Sequence, residues 1–193
     1  MAKLTPEDLY SLEAYAKLRP EFRARVMEHK QHRRLPLGEH ITLIFEDRLT
    51  MQYQIQEMLR VERIFEEQGI LEELNAYNPL IPDGSNWKAT MMIEYEDEEE
   101  RRLALQRLVG IEDQIWVQIG DSDPVRAIAD EDIERSTESK TSSVHFLRFE
   151  LPADAIAALK NGASLSVGVS NSGYSHTADV DEAMRESLIA DLD

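Results

Sequence analysis

Glu46, Arg48, Gln54, Glu57, Arg60, Glu62, Tyr77 and Asn78 are the residues of this 193-residue chain whose types and spacing could do chemistry. Carboxylates can exchange protons or hold a hard cation, and an arginine can clamp an anion through two parallel hydrogen bonds. QIQEMLRVERIF, residues 54–65, reads as the middle of a helix. On a helix turning about 100° per residue, Met51, Ile55, Met58, Leu59, Val61 and Phe65 form one apolar arc. Gln52, Gln56, Arg60, Arg63 and Glu67 lie opposite, as a solvated face. Glu62 falls near the centre of the apolar arc, Gln54 within it and Glu57 at its edge. A carboxylate turned into a core must be paired, protonated or bound to a metal, and a buried glutamine must satisfy both ends of its amide. Three arrangements meet that demand: an ion-pair network from Glu62 to Arg33, Arg34 or Arg48, a pocket for a small molecule or anion, or a carboxylate-rich metal site; the remaining alternative is a shifted helix register, with Glu62 facing solvent.

The elements that must position these residues follow from periodicity and punctuation. Thr5-Pro6-Glu7-Asp8 starts a helix, and Pro20-Glu21 starts a second that runs to about Arg34 and is broken by Leu35-Pro36-Leu37-Gly38. HITLIFE, residues 40–46, alternates as a strand, with Thr42 and Glu46 on one face. The helix in question spans about Thr50 to Gln68, ended by Gly69, and a short helix follows over 70–76. ATMMIEY, residues 89–95, is a second strand, with Thr90 and Glu94 on one face. If the two strands are neighbours, that face presents carboxylates and hydroxyls together. A helix over 97–110, strands over 114–119, 125–128, 143–151 and 165–169, and helices over 152–160 and 179–192 complete the chain. The polar stretch 129–141 reads as a flexible surface segment. Successive strands late in the chain predict one α+β domain over 1–193, a helical N-terminal part packed on a mostly antiparallel sheet of about five or six strands.

Composition removes many chemistries. There is no cysteine, so disulfides, thiol catalysis and cysteine-ligated metal are excluded. The net charge of −17 repels phosphates and argues against nucleic acid as a partner. No apolar run reaches the roughly 20 residues of a membrane span, and MAKLTPEDLYSL lacks the pattern of a secretory signal, so a cytoplasmic setting is expected. None of the Gly-rich nucleotide loops, the Gly-x-Ser-x-Gly elbow, His-Glu-x-x-His or the EF-hand loop is present. His29 and His32 read as a solvated helix end or one that docks a carboxylate, His145 as a core histidine, and His176 as a lone loop residue.

FEDRLTMQYQIQEMLRVERI (45–64), ELNAYNPLIPDG (73–84), TMMIEYEDEEER (90–101), VHFLRFEL (144–151) and RESLIADL (185–192) resemble the domain-of-unknown-function 3501 family of bacterial proteins. The resemblance covers nearly the whole chain and singles out the same stretch, Glu46 to Asn78, with Thr50. It implies iron or peroxide-stress handling beside a rubrerythrin-like or iron–sulfur partner protein. The leading expectation is a cytoplasmic accessory protein that binds a partner or a small ligand. The alternative is a carboxylate-based metalloprotein or enzyme with a buried Glu/Gln/Arg/Tyr pocket.

Overall fold

A computed structural model describes residues 2–131, 135–137 and 139–193. The chain begins with a capped 3₁₀ turn, Pro6–Asp8, and a 20-residue helix α1, Leu12–Gln31. Pro20 does not open a new helix, as its position predicts; it sits inside α1 on the exposed side. Tyr15, Phe22 and Val26 are buried on either side of it, and their packing outweighs the one backbone hydrogen bond that a proline forfeits.

Two antiparallel sheets follow. The first has the order β1-β2-β3-β7-β6 and the second β5-β4-β8-β9. In the first, β1 is Arg34–Leu37, β2 Ile41–Glu46, β3 Asn86–Ile93, β7 Val144–Glu150 and β6 Ile128–Ala129. In the second, β5 is Val125–Arg126, β4 Ile115–Ile119, β8 Leu165–Asn171 and β9 Tyr174–Asp179. The helices α2 (Arg48–Glu62), α3 (Glu67–Tyr77), α4 (Glu98–Arg107), α5 (Ala153–Lys160) and α6 (Glu182–Ile189) complete the α+β fold. Among the described residues, nine strands in two sheets replace the single sheet of five or six. The extra strands are β1, where Leu-Pro-Leu looked like a helix breaker, and β9, mostly exposed and without apolar alternation. Pro36 is tolerated because β1 is a sheet edge. The expected strand over 125–128 is split at Ala127, where the chain passes from one sheet to the other.

The main core lies between the sheets. Leu43, Phe45, Trp87, Met91, Leu147 and Phe149 alternate inward from one side and Ile115, Val117, Leu165 and Val167 from the other. Tyr174 ties the second sheet to the first: its Oη donates to the Leu37 carbonyl (2.6 Å) and accepts from the His40 N–H (3.0 Å). The N-terminal helices keep two small clusters of their own, one around Ile55, Leu59 and Leu74, the other around Tyr15, Phe22 and Val26. Arg33 joins them to the rest. It is 1% exposed, donates to the carbonyls of Phe45, Glu46 and Ser187, and pairs with Asp191. Burial pushes the Asp191 carboxyl up to about 6 against the pull of Arg33. Burial also raises the Asp47 carboxyl, but the His29 bond at 2.5 Å, Arg33 and the Thr50 N–H outweigh it and hold it below the usual range. His29 thus docks a carboxylate.

Candidate functional site

The structure does not turn Glu62 inward. It is the last residue of α2 and is exposed, as are Val61 and Phe65, 65% and 73%. The helix stops at Arg63, which adopts φ 57°, well before Gln68. The apolar arc was therefore assembled partly from residues at and beyond the helix end. None of Arg33, Arg34 and Arg48 pairs with Glu62: Arg33 holds Asp191, Arg34 lies 3.7 Å from Glu94, and Arg48 holds Asp8 at 2.6 Å. Gln56, which the helical spacing placed on the solvated face, is instead fully buried, as is Thr50 in the first turn of α2. The Gln56 Oε1 accepts from the Tyr10 N–H (2.5 Å) and its Nε2 donates to the Tyr10 carbonyl (3.3 Å).

The other expected residues form clasps rather than one pocket. Asn78 binds both backbone groups of Leu4, at 2.8 and 2.9 Å, and Arg48 also reaches the Ala2 carbonyl. With Gln56, they pin the N-terminal segment across α2 and α3. Glu57 accepts two bonds from Arg19 (2.7 and 2.8 Å) and one from Tyr15 (2.7 Å), with Arg60 at 3.6 Å. Those partners, Arg19 first, hold its carboxyl down at about 2. Gln54 is half-buried. The strand-face expectation fits the geometry: β2 and β3 are neighbours, Thr42 donates to Glu94 and Thr90 to Glu46, each at 2.7 Å. The second oxygen of Glu46 is buried without a hydrogen-bond partner among the described residues.

Tyr77 leads to a cavity. Between the end of α3 and the outer face of the first sheet lies a space of about 420 Å³, walled by Ala76, Tyr77, Pro79, Leu80, Phe146 and Leu147. Lys88, Arg148 and Glu131 supply its polar groups. Arg148 is occupied by Glu131 through two bonds of 2.8 Å and by Glu150. Lys88, half-buried, makes no hydrogen bond or ion pair with any described residue. Burial, then the neighbouring Arg148, pushes its ammonium below the ordinary lysine range. Lys88 stands opposite Glu46 across the strand pair. A wider depression of about 820 Å³ at the far end of this sheet face is lined by Glu39, Glu94, Glu96 and Glu100, with Arg101.

A second polar group sits near the other edge of that sheet. His145 is fully buried, as its strand position predicts, but it belongs to a network. Its Nδ1–H donates to Asp130 (2.6 Å), and its Nε2 lies 2.9 Å from Thr141 Oγ1 and 3.1 Å from the Ser142 carbonyl. Thr141 donates to Glu112 at 3.1 Å, and Ser136 donates to the other Glu112 oxygen. Arg135 lies 3.2 Å from Asp130. A cavity of about 460 Å³, lined by Glu112, Asp130, Arg135 and Ser136 among others, opens beside the network. Among the described residues, Glu112, Asp130 and His145 are the group placed to hold a metal ion, their ligand atoms lying within 4.8 Å of one another. The stretch 129–141 is therefore not simply surface: Ala129 is in β6 and Thr141 is 1% exposed. Residues 132–134 and 138 of it lie outside the described residues. Sequence reasoning missed Lys88, Glu112, Asp130, Ser136 and Thr141. The available signals were a lysine within an apolar strand and a histidine alternating with core residues.

Two antiparallel sheets, a clasped N-terminal segment, an apolar-walled cavity at Lys88 and a polar one beside His145 define an α+β protein with no helix, among the described residues, long and apolar enough to cross a membrane. The chain belongs to the family described as "Protein of unknown function (DUF3501)", whose model matches residues 3–192. It is similar to a protein of unknown function from Burkholderia pseudomallei known from a crystal structure. The two are 54% identical over 100% of both chains, with a TM-score of 0.95. No curated protein matches the chain.

Proposed function

We propose that this protein is a binding protein for a small amphipathic monocarboxylate, held in the cavity between α3 and the first sheet. The observation that carries the reading is Lys88: a half-buried ammonium, without a hydrogen bond or ion pair among the described residues, beside apolar walls. A ligand carboxylate would pair with it, and an apolar body would displace water from Phe146, Leu80 and Pro79. Arg148, which also lines the cavity, is already neutralised by Glu131 and Glu150 and leaves the ligand charge to Lys88. Of the residues expected from sequence, Tyr77 lines this cavity, and Asn78, beside it in the chain, is fixed through Leu4.

Calorimetric titration of octanoate tests the reading. Wild-type protein binds one equivalent, and Lys88→Met, which keeps the stem and loses the charge, binds at least about tenfold more weakly. No binding, or equal binding by the variant, would sink it. The family resemblance supports the setting: a cytoplasmic accessory role in iron or peroxide-stress handling, with a rubrerythrin-like or iron–sulfur partner. A direct titration of this protein with a purified rubrerythrin tests that part separately.

A further inference from the structure

Glu112, Thr141 and His145 reach one point from three places: the 3₁₀ turn before β4, the segment before β7, and β7 itself. His145 Nε2 is 2.9 Å from Thr141 Oγ1, which is 3.1 Å from Glu112 Oε2, which is 3.9 Å from Nε2. The three corners of that triangle are all about 2.0 Å from a common centre, the usual distance from nitrogen and oxygen ligands to a first-row metal ion. The ring's other nitrogen already gives its hydrogen to Asp130. A neutral ring would therefore turn a lone pair toward the Ser142 carbonyl, which only accepts. The Nε2 lone pair therefore needs a donor or a cation: the Thr141 hydroxyl can supply its hydrogen, or a metal ion can sit between Nε2, Thr141 Oγ1 and Glu112.

We propose that this cluster binds one divalent first-row cation, with manganese as the working probe. His145 Nε2, Glu112 and Thr141 Oγ1 are the protein ligands, and the adjoining cavity gives water access to the remaining positions. Asp130 is a positioning residue. It fixes the ring through Nδ1, accepts the Phe146 N–H at 3.0 Å, and is balanced by Arg135. The site is distinct from the Lys88 cavity and stands or falls independently of it.

The experiment titrates metal-stripped, full-length protein with Mn²⁺ and follows it by electron paramagnetic resonance, with circular dichroism as the check on folding. The wild type takes one tight equivalent, and pulsed spectra show one coordinated imidazole nitrogen. Glu112→Gln abolishes tight binding. Asp130→Asn, which suits the positive φ at this position, weakens it roughly 10- to 100-fold. Several weak equivalents without a nitrogen signal would be the acidic surface alone and would overturn the proposal. So would tight binding that both variants, folded, leave unchanged. If a variant does not fold, the nitrogen signal of the wild type decides: its presence supports the site and its absence removes it.

Discussion

Glu57 releases its proton easily because three donors surround it. Arg19 contributes two charge-assisted bonds and Tyr15 one, and the folded protein holds the carboxyl at about 2, against an ordinary 4.5. A group depressed in this way stabilises the fold above its ordinary value, and the contribution is lost as pH falls from 4.5 towards 2. Asp191 has the opposite sign. Its carboxyl is raised to about 6, so its contribution is fully present below 3.8 and lost as pH rises through 6. Thermal melts at stepped pH should show Glu57→Gln losing less stability than the wild type between pH 4.5 and 2. Parallel acid limbs would mean that the Arg19–Glu57 pair persists in the unfolded chain. The same scale explains why Gln56 looked solvated. A glutamine satisfied on both sides by one residue's backbone is as well placed inside as outside, and its type alone does not say which.

At the scale of elements, α2 shows how a helix end can hide. Its start is explicit: Asp47 Oδ1 accepts from the Thr50 N–H and Thr50 Oγ1 accepts from the Asp47 N–H, both at 2.9 Å. Its end rests on Arg63 at φ 57°, a left-handed position that glycine or asparagine usually fills. Arg63→Gly should stabilise the protein by roughly 0.5 kcal/mol, the relief of left-handed strain less the added freedom of the unfolded chain. Denaturant unfolding checks this, and a loss of stability would show that the Arg63 side chain itself holds the α2–α3 corner. Gly168, in β8, is a different case. A Cβ there would lie 2.2 Å from the Trp116 ring, so alternation in this strand is interrupted by a close approach from the next.

For the whole molecule, charge matters more than any single pair. A net charge of −17 on 193 residues means self-repulsion in the compact state, and the acidic residues around the wide depression concentrate it on one face. Raising salt from about 10 mM to about 0.3 M should raise the melting temperature by a few degrees, because screening removes repulsion between exposed charges. A fall would mean that ion pairs such as Arg19–Glu57 and Arg148–Glu131 outweigh the net field. The large-scale division of labour is also visible. The core between the sheets carries the fold, while the N-terminal segment is clasped on through polar side chains of α2 and the Tyr77–Asn78 corner.

The sequence by itself determined the α+β class, the cysteine-free chemistry, the inward faces of β2, β3 and β7, and the opposite faces that carry Thr42 with Glu46 and Thr90 with Glu94, and its motifs carried the family. The faces and the composition are properties of local sequence, whereas the cross-strand bonds from Thr42 to Glu94 and from Thr90 to Glu46 needed the two strands to be neighbours. The tertiary structure decided which polar residues meet. Glu112, Asp130, Thr141 and His145 are separated by up to 33 positions, and their meeting depends on the crossing of the chain between sheets at Ala127. Lys88 is a cavity residue only because α3 ends over its strand. Glu62 is exposed because α2 stops at it, a boundary set by one left-handed backbone position that an arginine does not announce.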